Sequence, residues 1–180
     1  MNNTKYIEIH RGRVARMLNA CWPEFGVSLS RPSQYGWLAN VFFEMDVPHI
    51  WRSNTRIPES RFWHVFAIAA SKASVNGRII VFHDGHAGWR GDGRGEVSRF
   101  LALDGVDVAV DFMKKRAYYS RSQWEYGRKS DNYYLFFPDE KMLAAFTHHG
   151  EFYCFSRNKD MLLAMGKTFF RNRLSVKYSF

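Results

Sequence analysis

Three stretches of the sequence hold an apolar run of four or five residues that then stops: Arg78–His83 (RIIVFH), Asn132–Phe137 (NYYLFF) and Glu151–Ser156 (EFYCFS). Aromatic and β-branched residues crowd each of them, Asn76-Gly77 turns the chain before the first, and Gly150 precedes the third. That pattern reads as buried strands. A buried strand cannot leave its amides and carbonyls unpaired, so the chain is committed to a sheet.

The remaining periodic segments read mostly as helices. Arg11–Cys21 places Val14, Met17, Leu18 and Cys21 on one face. A second helix, capped by Ser30 or Ser33, carries Trp37, Leu38, Val41, Phe42 and Met45 and stops before Pro48. A third starts behind Pro58 and is apolar over much of its girth, which predicts burial. A last helix begins near Lys159 and ends in a cationic turn, which suits its dipole. Lys5–His10 alternates as a short edge strand, whereas Trp51–Ser60 reads as a polar loop. Glu96–Leu103 is expected to be a short helix, Val106–Phe112 a strand, and Asp139–His149 a helix ended by Gly150. The fold class is therefore α+β, one domain over residues 1–180, with a mixed central sheet of about four to six strands packed by helices.

With 180 residues the chain can bury a core without staples. Its 16 Phe, 9 Tyr and 6 Trp exceed what such a core demands, so some rings are expected at a working surface. The net charge of +9 attracts polyanions such as nucleic acid or phosphorylated cofactors. Cys21 and Cys154 stand alone, which excludes a disulfide framework and a cysteine metal knuckle. VFAIAA is too short to cross a bilayer, which takes about 20 residues, and the N-terminus has no apolar leader. A cytoplasmic protein without a membrane partner is the expectation.

His86–Gly95 (HAGWRGDGRG) packs four glycines and two arginines behind the first strand. Glycines let a ligand approach backbone amides closely, and amides opening a helix bind anions. Arg90-Gly91-Asp92-Gly93-Arg94-Gly95 resembles the Arg-x-x-Gly-x-Gly signature of the GNAT superfamily of acyl-CoA-dependent N-acyltransferases. His86 and Trp89 are similar to residues that often precede it. Tyr118, Tyr119 and Trp124 resemble the family's later aromatic segment, with Gln123 where that segment has glycine. The resemblance implies that Arg90, Gly91, Gly93, Arg94 and Gly95 hold the pyrophosphate of acetyl-CoA or another acyl-CoA. It implies Tyr119 as general acid toward the leaving thiolate. His83 or Asp84, at the strand end, would serve as general base.

Three other constellations compete. His83, His86, His148 and His149 offer metal ligands, but zinc needs three or four together, and no metal is expected. Glu96, Asp104, Asp107, Asp111 and Lys114 hint at a metal-dependent nuclease, yet on a strand Asp107 and Asp111 would lie roughly 13 Å apart. The segment Lys114–Lys129 (KKRAYYSRSQWEYGRK) interleaves Lys114, Lys115, Arg116, Arg121 and Arg128 with Tyr118, Tyr119 and Trp124. Cations track phosphates and rings stack on bases, so this is a candidate nucleic-acid surface, extended by the C-terminal RNRLSVK. The functional expectations are an N-acyltransferase-like protein, a non-enzymatic basic module that binds nucleic acid, or a small interaction protein that inhibits another macromolecule.

The acyl-CoA expectation has a direct check. Acetyl-CoA at a hundred times its dissociation constant should stabilise the protein by about 2.7 kcal/mol, and Gly93→Glu should abolish the thermal shift.

Overall fold

Neighbouring residues along the central strands are buried against different layers. Ile79 and Val81 pack on one side of the sheet, Ile80 and Phe82 on the other. The same division separates Leu135 and Phe137 from Tyr134 and Phe136, and Met142 and Ala144 from Leu143 and Ala145. A strand covered on both faces needs apolar residues at successive positions, which is why RIIVF, NYYLFF and MLAAF lack polar alternation.

The computed structural model describes residues 7–26, 38–52, 59–75, 77–84, 100–112, 132–146 and 151–180. In chain order these form β1 (Ile7–Ile9), α1 (Arg11–Cys21), α2 (Leu38–Glu44), β2 (His49–Arg52), α3 (Glu59–Lys72), β3 (Arg78–Asp84) and β4 (Phe100–Asp104). There follow α4 (106–112), β5 (Asn132–Phe137), β6 (Met142–Phe146), β7 (Phe152–Ser156), α5 (Lys159–Arg171) and β8 (Lys177–Ser179). One open sheet runs in the order β1-β4-β3-β5-β6-β7-β2-β8, and every described pair is antiparallel. Residues of α3, α4 and α5 build the core on one face; Val14, Leu18, Trp22, Leu38 and Phe42 from α1, α2 and the turn between them build the other.

The α+β class holds, but among the described residues the sheet has eight strands where about four to six were expected, and all its described pairs are antiparallel. Two strands escaped the sequence reading because they are short: β2, whose second half fell in the polar loop, and β8, which was assigned no element. Three segments change type. Phe100–Asp104 is a strand and not the end of a helix, and Met142–Phe146 is a strand behind the turn Pro138–Lys141. Both are buried along nearly their whole length, so they carry no period to distinguish strand from helix. Residues 106–112 are helical. Val106, Ala109 and Val110 form the buried stripe at i, i+3 and i+4, while Asp107 and Asp111 are exposed. The alternation of VDVAVD fits a strand equally well, and packing decided the matter.

Three helices, α2, α3 and α5, end without glycine. Asp46, Ser74 and Arg173 adopt left-handed backbone with φ of 49°, 59° and 61°. In each case the next amide donates to the carbonyl five residues back: Val47 to Phe42 (3.1 Å), Val75 to Ala70 (2.9 Å) and Leu174 to Phe169 (2.9 Å). Those next residues are all buried, so every stop is clamped by an apolar contact, the pattern of a Schellman motif. Among the described residues no helix is long and apolar enough to cross a membrane.

Left-handed backbone costs an L-residue about 1–2 kcal/mol, offset in part by the greater freedom of glycine in the unfolded chain. Ser74→Gly should therefore stabilise the protein by several tenths to about 1 kcal/mol, read as a rise in the urea midpoint at unchanged slope.

Candidate nucleic-acid interface

The strand register sets attachment points of two cation-bearing segments side by side. Asp84, the last residue of β3, pairs with Asn132, the first residue of β5. The connection 85–99 leaves at Asp84 and returns to the neighbouring strand at Phe100; the connection 113–131 returns at Asn132. The first carries three arginines against two acids, the second six lysines and arginines against two acids. Residues 53–58 and 147–150, with Arg56, His148 and His149, leave from Arg52 and Phe146 in the adjoining rows.

The opposite end carries both signs. An open cleft of about 410 Å³ is lined by Met17, Gly77, Arg78, Asp104, Gly105, Pro138 and Asp139. The Gly77 amide donates to Glu140 Oε1 at 3.2 Å, and a Cβ on Gly77 would stand 2.7 Å from Asp139 Oδ2. Glycine is needed there because the carboxylates come so close. Arg78 Nε meets Asp104 Oδ1 at 3.4 Å on the surface, a screened contact that contributes little.

A third surface lies along the β8 edge. On α5, Met161, Leu162, Met165 and Phe169 face the core, leaving Lys159, Leu163, Lys167 and Phe170 on the outer stripe. Phe170 is 76% exposed, Phe180 53%, Tyr178 44% and Leu163 36%, so this edge concentrates the exposed rings that the composition called for. Tyr178 leans on Gly166, where a Cβ would stand 2.7 Å from its Cζ. The Tyr178 and Phe180 rings meet at 5.4 Å, and Lys159 Nζ sits 5.7 Å from the Phe180 centroid. On the other face of the same strand, Lys177 Nζ lies 4.6 Å from the Trp51 ring, which stacks on Tyr153 at 6.3 Å. Lys159, Lys167, Arg171, Arg173 and Lys177 are all exposed around this edge, and none is ion-paired among the described residues.

No activated nucleophile emerges among the described side chains. Burial pushes the Cys154 thiol far above its ordinary range and raises Cys21 too, so neither is a thiolate at neutral pH. Burial, then the neighbouring Glu151 carboxylate that accepts its hydroxyl at 3.1 Å, pushes Tyr153 up to about 12. It stays protonated through the physiological range.

No protein-family model, curated protein or solved structure matches the chain.

Most residues singled out in the sequence fall outside the described ones: Arg90, Gly91, Gly93, Arg94, Gly95, Lys114, Lys115, Arg116, Tyr119, Arg121, Trp124 and Arg128. For His83 and Asp84 only the backbone is described, at the end of β3. The layout expected behind the glycine-rich loop is altered, however. The loop joins two paired antiparallel strands, and residues 100–104, expected to finish a helix, are in β4. Of the acids weighed for a nuclease, Asp107 and Asp111 share a helix face one turn apart, not a strand face. Among the described residues no three His, Cys, Asp or Glu side chains cluster to hold a metal. Sequence reasoning named RNRLSVK but missed Phe170, Tyr178 and Phe180, although Val176–Phe180 alternates apolar and polar as an edge strand does.

The raised Tyr153 fixes a pH dependence. A group whose folded pKa lies above its unfolded value, here about 12 against 10, stabilises fully below pH 10 and loses that contribution as pH climbs toward 12. Tyr153→Phe should therefore lose less melting temperature than the parent protein between those two pH values.

Proposed function

We propose that this protein is a non-enzymatic basic module that binds nucleic acid. The observation that carries the reading is the pairing of Asp84 with Asn132. It makes neighbouring strand ends the anchor points of 85–99 and 113–131, which carry nine lysines and arginines against four acids. In sequence those segments carry Arg90, Arg94, Lys114, Lys115, Arg116, Arg121 and Arg128, the cations a phosphate backbone calls for, and each neutralised phosphate releases counterions. Trp124 and the tyrosines beside it supply rings for unpaired bases.

The net charge of +9 supports the same reading, since it attracts polyanions. The acyl-CoA alternative draws less from the geometry. Its pyrophosphate site calls for a helix N-terminus behind the glycine-rich loop; residues 96–99 lie outside the described ones, and Phe100–Asp104 is strand β4.

Affinity for a labelled single-stranded oligonucleotide should fall steeply with salt. The triple change Lys114→Ala, Lys115→Ala, Arg121→Ala should flatten the logarithmic salt slope by about 2, at roughly 0.7 per phosphate contact. Trp124→Ala should weaken binding with the slope nearly kept, because stacking releases few ions. Absence of binding at low salt by the folded protein would remove the reading.

A further inference from the structure

We propose that the outer face of α5 and β8 is a second binding surface for nucleic acid, selective for single strands, whose unpaired bases stack on Phe170, Tyr178 and Phe180. The proposal rests on the nucleic-acid reading and adds to it a site and a preferred form of the ligand.

The first observation is the spacing along α5. Lys159, Leu163, Lys167 and Phe170 follow one another on the exposed stripe at i, i+4, i+8 and i+11. At 1.5 Å per residue, cation and apolar group alternate about every 5–6 Å along the helix. A single strand offers that alternation, since each nucleotide brings one phosphate and one flat base. A lipid surface asks for something else, an unbroken apolar stripe to insert, and Lys159 and Lys167 interrupt this one.

The second is the exposure of the rings. Phe170 is the most exposed large apolar side chain among the described residues at 76%, and Phe180 follows it on this edge at 53%. Core packing accounts for neither. Rings left in water beside free cations are what sequence-tolerant single-strand sites use, whereas the bases of a duplex are already stacked and offer no face.

The third is charge. Lys159, Lys167, Arg171, Arg173 and Lys177 surround the rings, with Asp160 as the acid beside them. A second copy docked here about a two-fold axis would oppose like charges, so self-association is disfavoured and a polyanion is favoured.

The test uses the full chain and a fluorescein-labelled oligothymidylate, its duplex with oligoadenylate, and phosphatidylcholine–phosphatidylserine vesicles as probes. The oligothymidylate should bind more tightly than the duplex, and the vesicles should not bind. Phe170→Ala with Phe180→Ala should weaken oligothymidylate binding between about 5- and 150-fold, the range for loss of one stacked base, with the salt slope kept. Phe170→Trp should restore or exceed the parent affinity. Both rings are exposed, so the thermal midpoint should hold, and an unchanged melting curve is the control for folding. Equal binding of duplex and single strand overturns the proposal, as does vesicle binding or concentration-dependent dimerisation lost in the double variant. If oligothymidylate binding survives the double variant intact but falls on removing Lys114, Lys115 and Arg121, this surface is excluded and the basic-module reading stands. If the parent protein binds no oligonucleotide, both fall together.

Discussion

Burial of the sheet on both faces is the constraint on which everything else in this molecule depends. β3, β5, β6 and β7 each carry apolar side chains at consecutive positions, one set against α3, α4 and α5 and the other against α1 and α2. Phe136, Phe137, Phe152 and Phe155 are fully buried, at roughly 1.5–3 kcal/mol each relative to exposure. Neither helical layer is dispensable, because stripping either would leave a wall of phenylalanine in water. The rings also interlock. Trp22 meets Phe42 edge-on at 4.9 Å, and Phe62 touches Phe152 at 4.9 Å and Phe169 at 5.8 Å, so each layer is keyed to the strands beneath it.

That arrangement displaces function to the margins. A sheet sealed on two sides has no open face for a ligand, and what remains accessible is its two ends and its edges. The antiparallel register then sorts the connections. Those at the Asp84–Asn132 end are long and cationic, while the turn at the other end, Pro138–Lys141, is tight and bears carboxylates. The same logic explains β8. As an outermost strand it has one partner, β2, and its Lys177 and nearby arginines guard an edge that would otherwise template another strand. Arg52 Nη1 and Arg61 Nη2 donate to the Ser175 and Asn172 carbonyls, at 2.7 and 3.3 Å, fastening the turn that delivers the chain from α5 to this edge.

The sequence by itself determined a good deal. The short apolar runs announced β3, β5 and β7, and the helical periods announced α1, α3 and α5, since each pattern follows from which side of one element faces a core. Composition announced that rings and positive charge would meet at a surface. Only the tertiary structure decided the type of Phe100–Asp104, 106–112 and Met142–Phe146, because a segment buried all round, or alternating by two and by helical period at once, has no local signal to read. It alone decided that there are eight strands, since His49–Arg52 and Lys177–Ser179 are too short to be strands without a neighbour to pair with. And it alone decided which distant parts of the chain are anchored side by side. Strand pairing joins residues as far apart as Asp84 and Asn132 or Trp51 and Lys177, and pairing is a property of the assembled sheet, not of any stretch of chain.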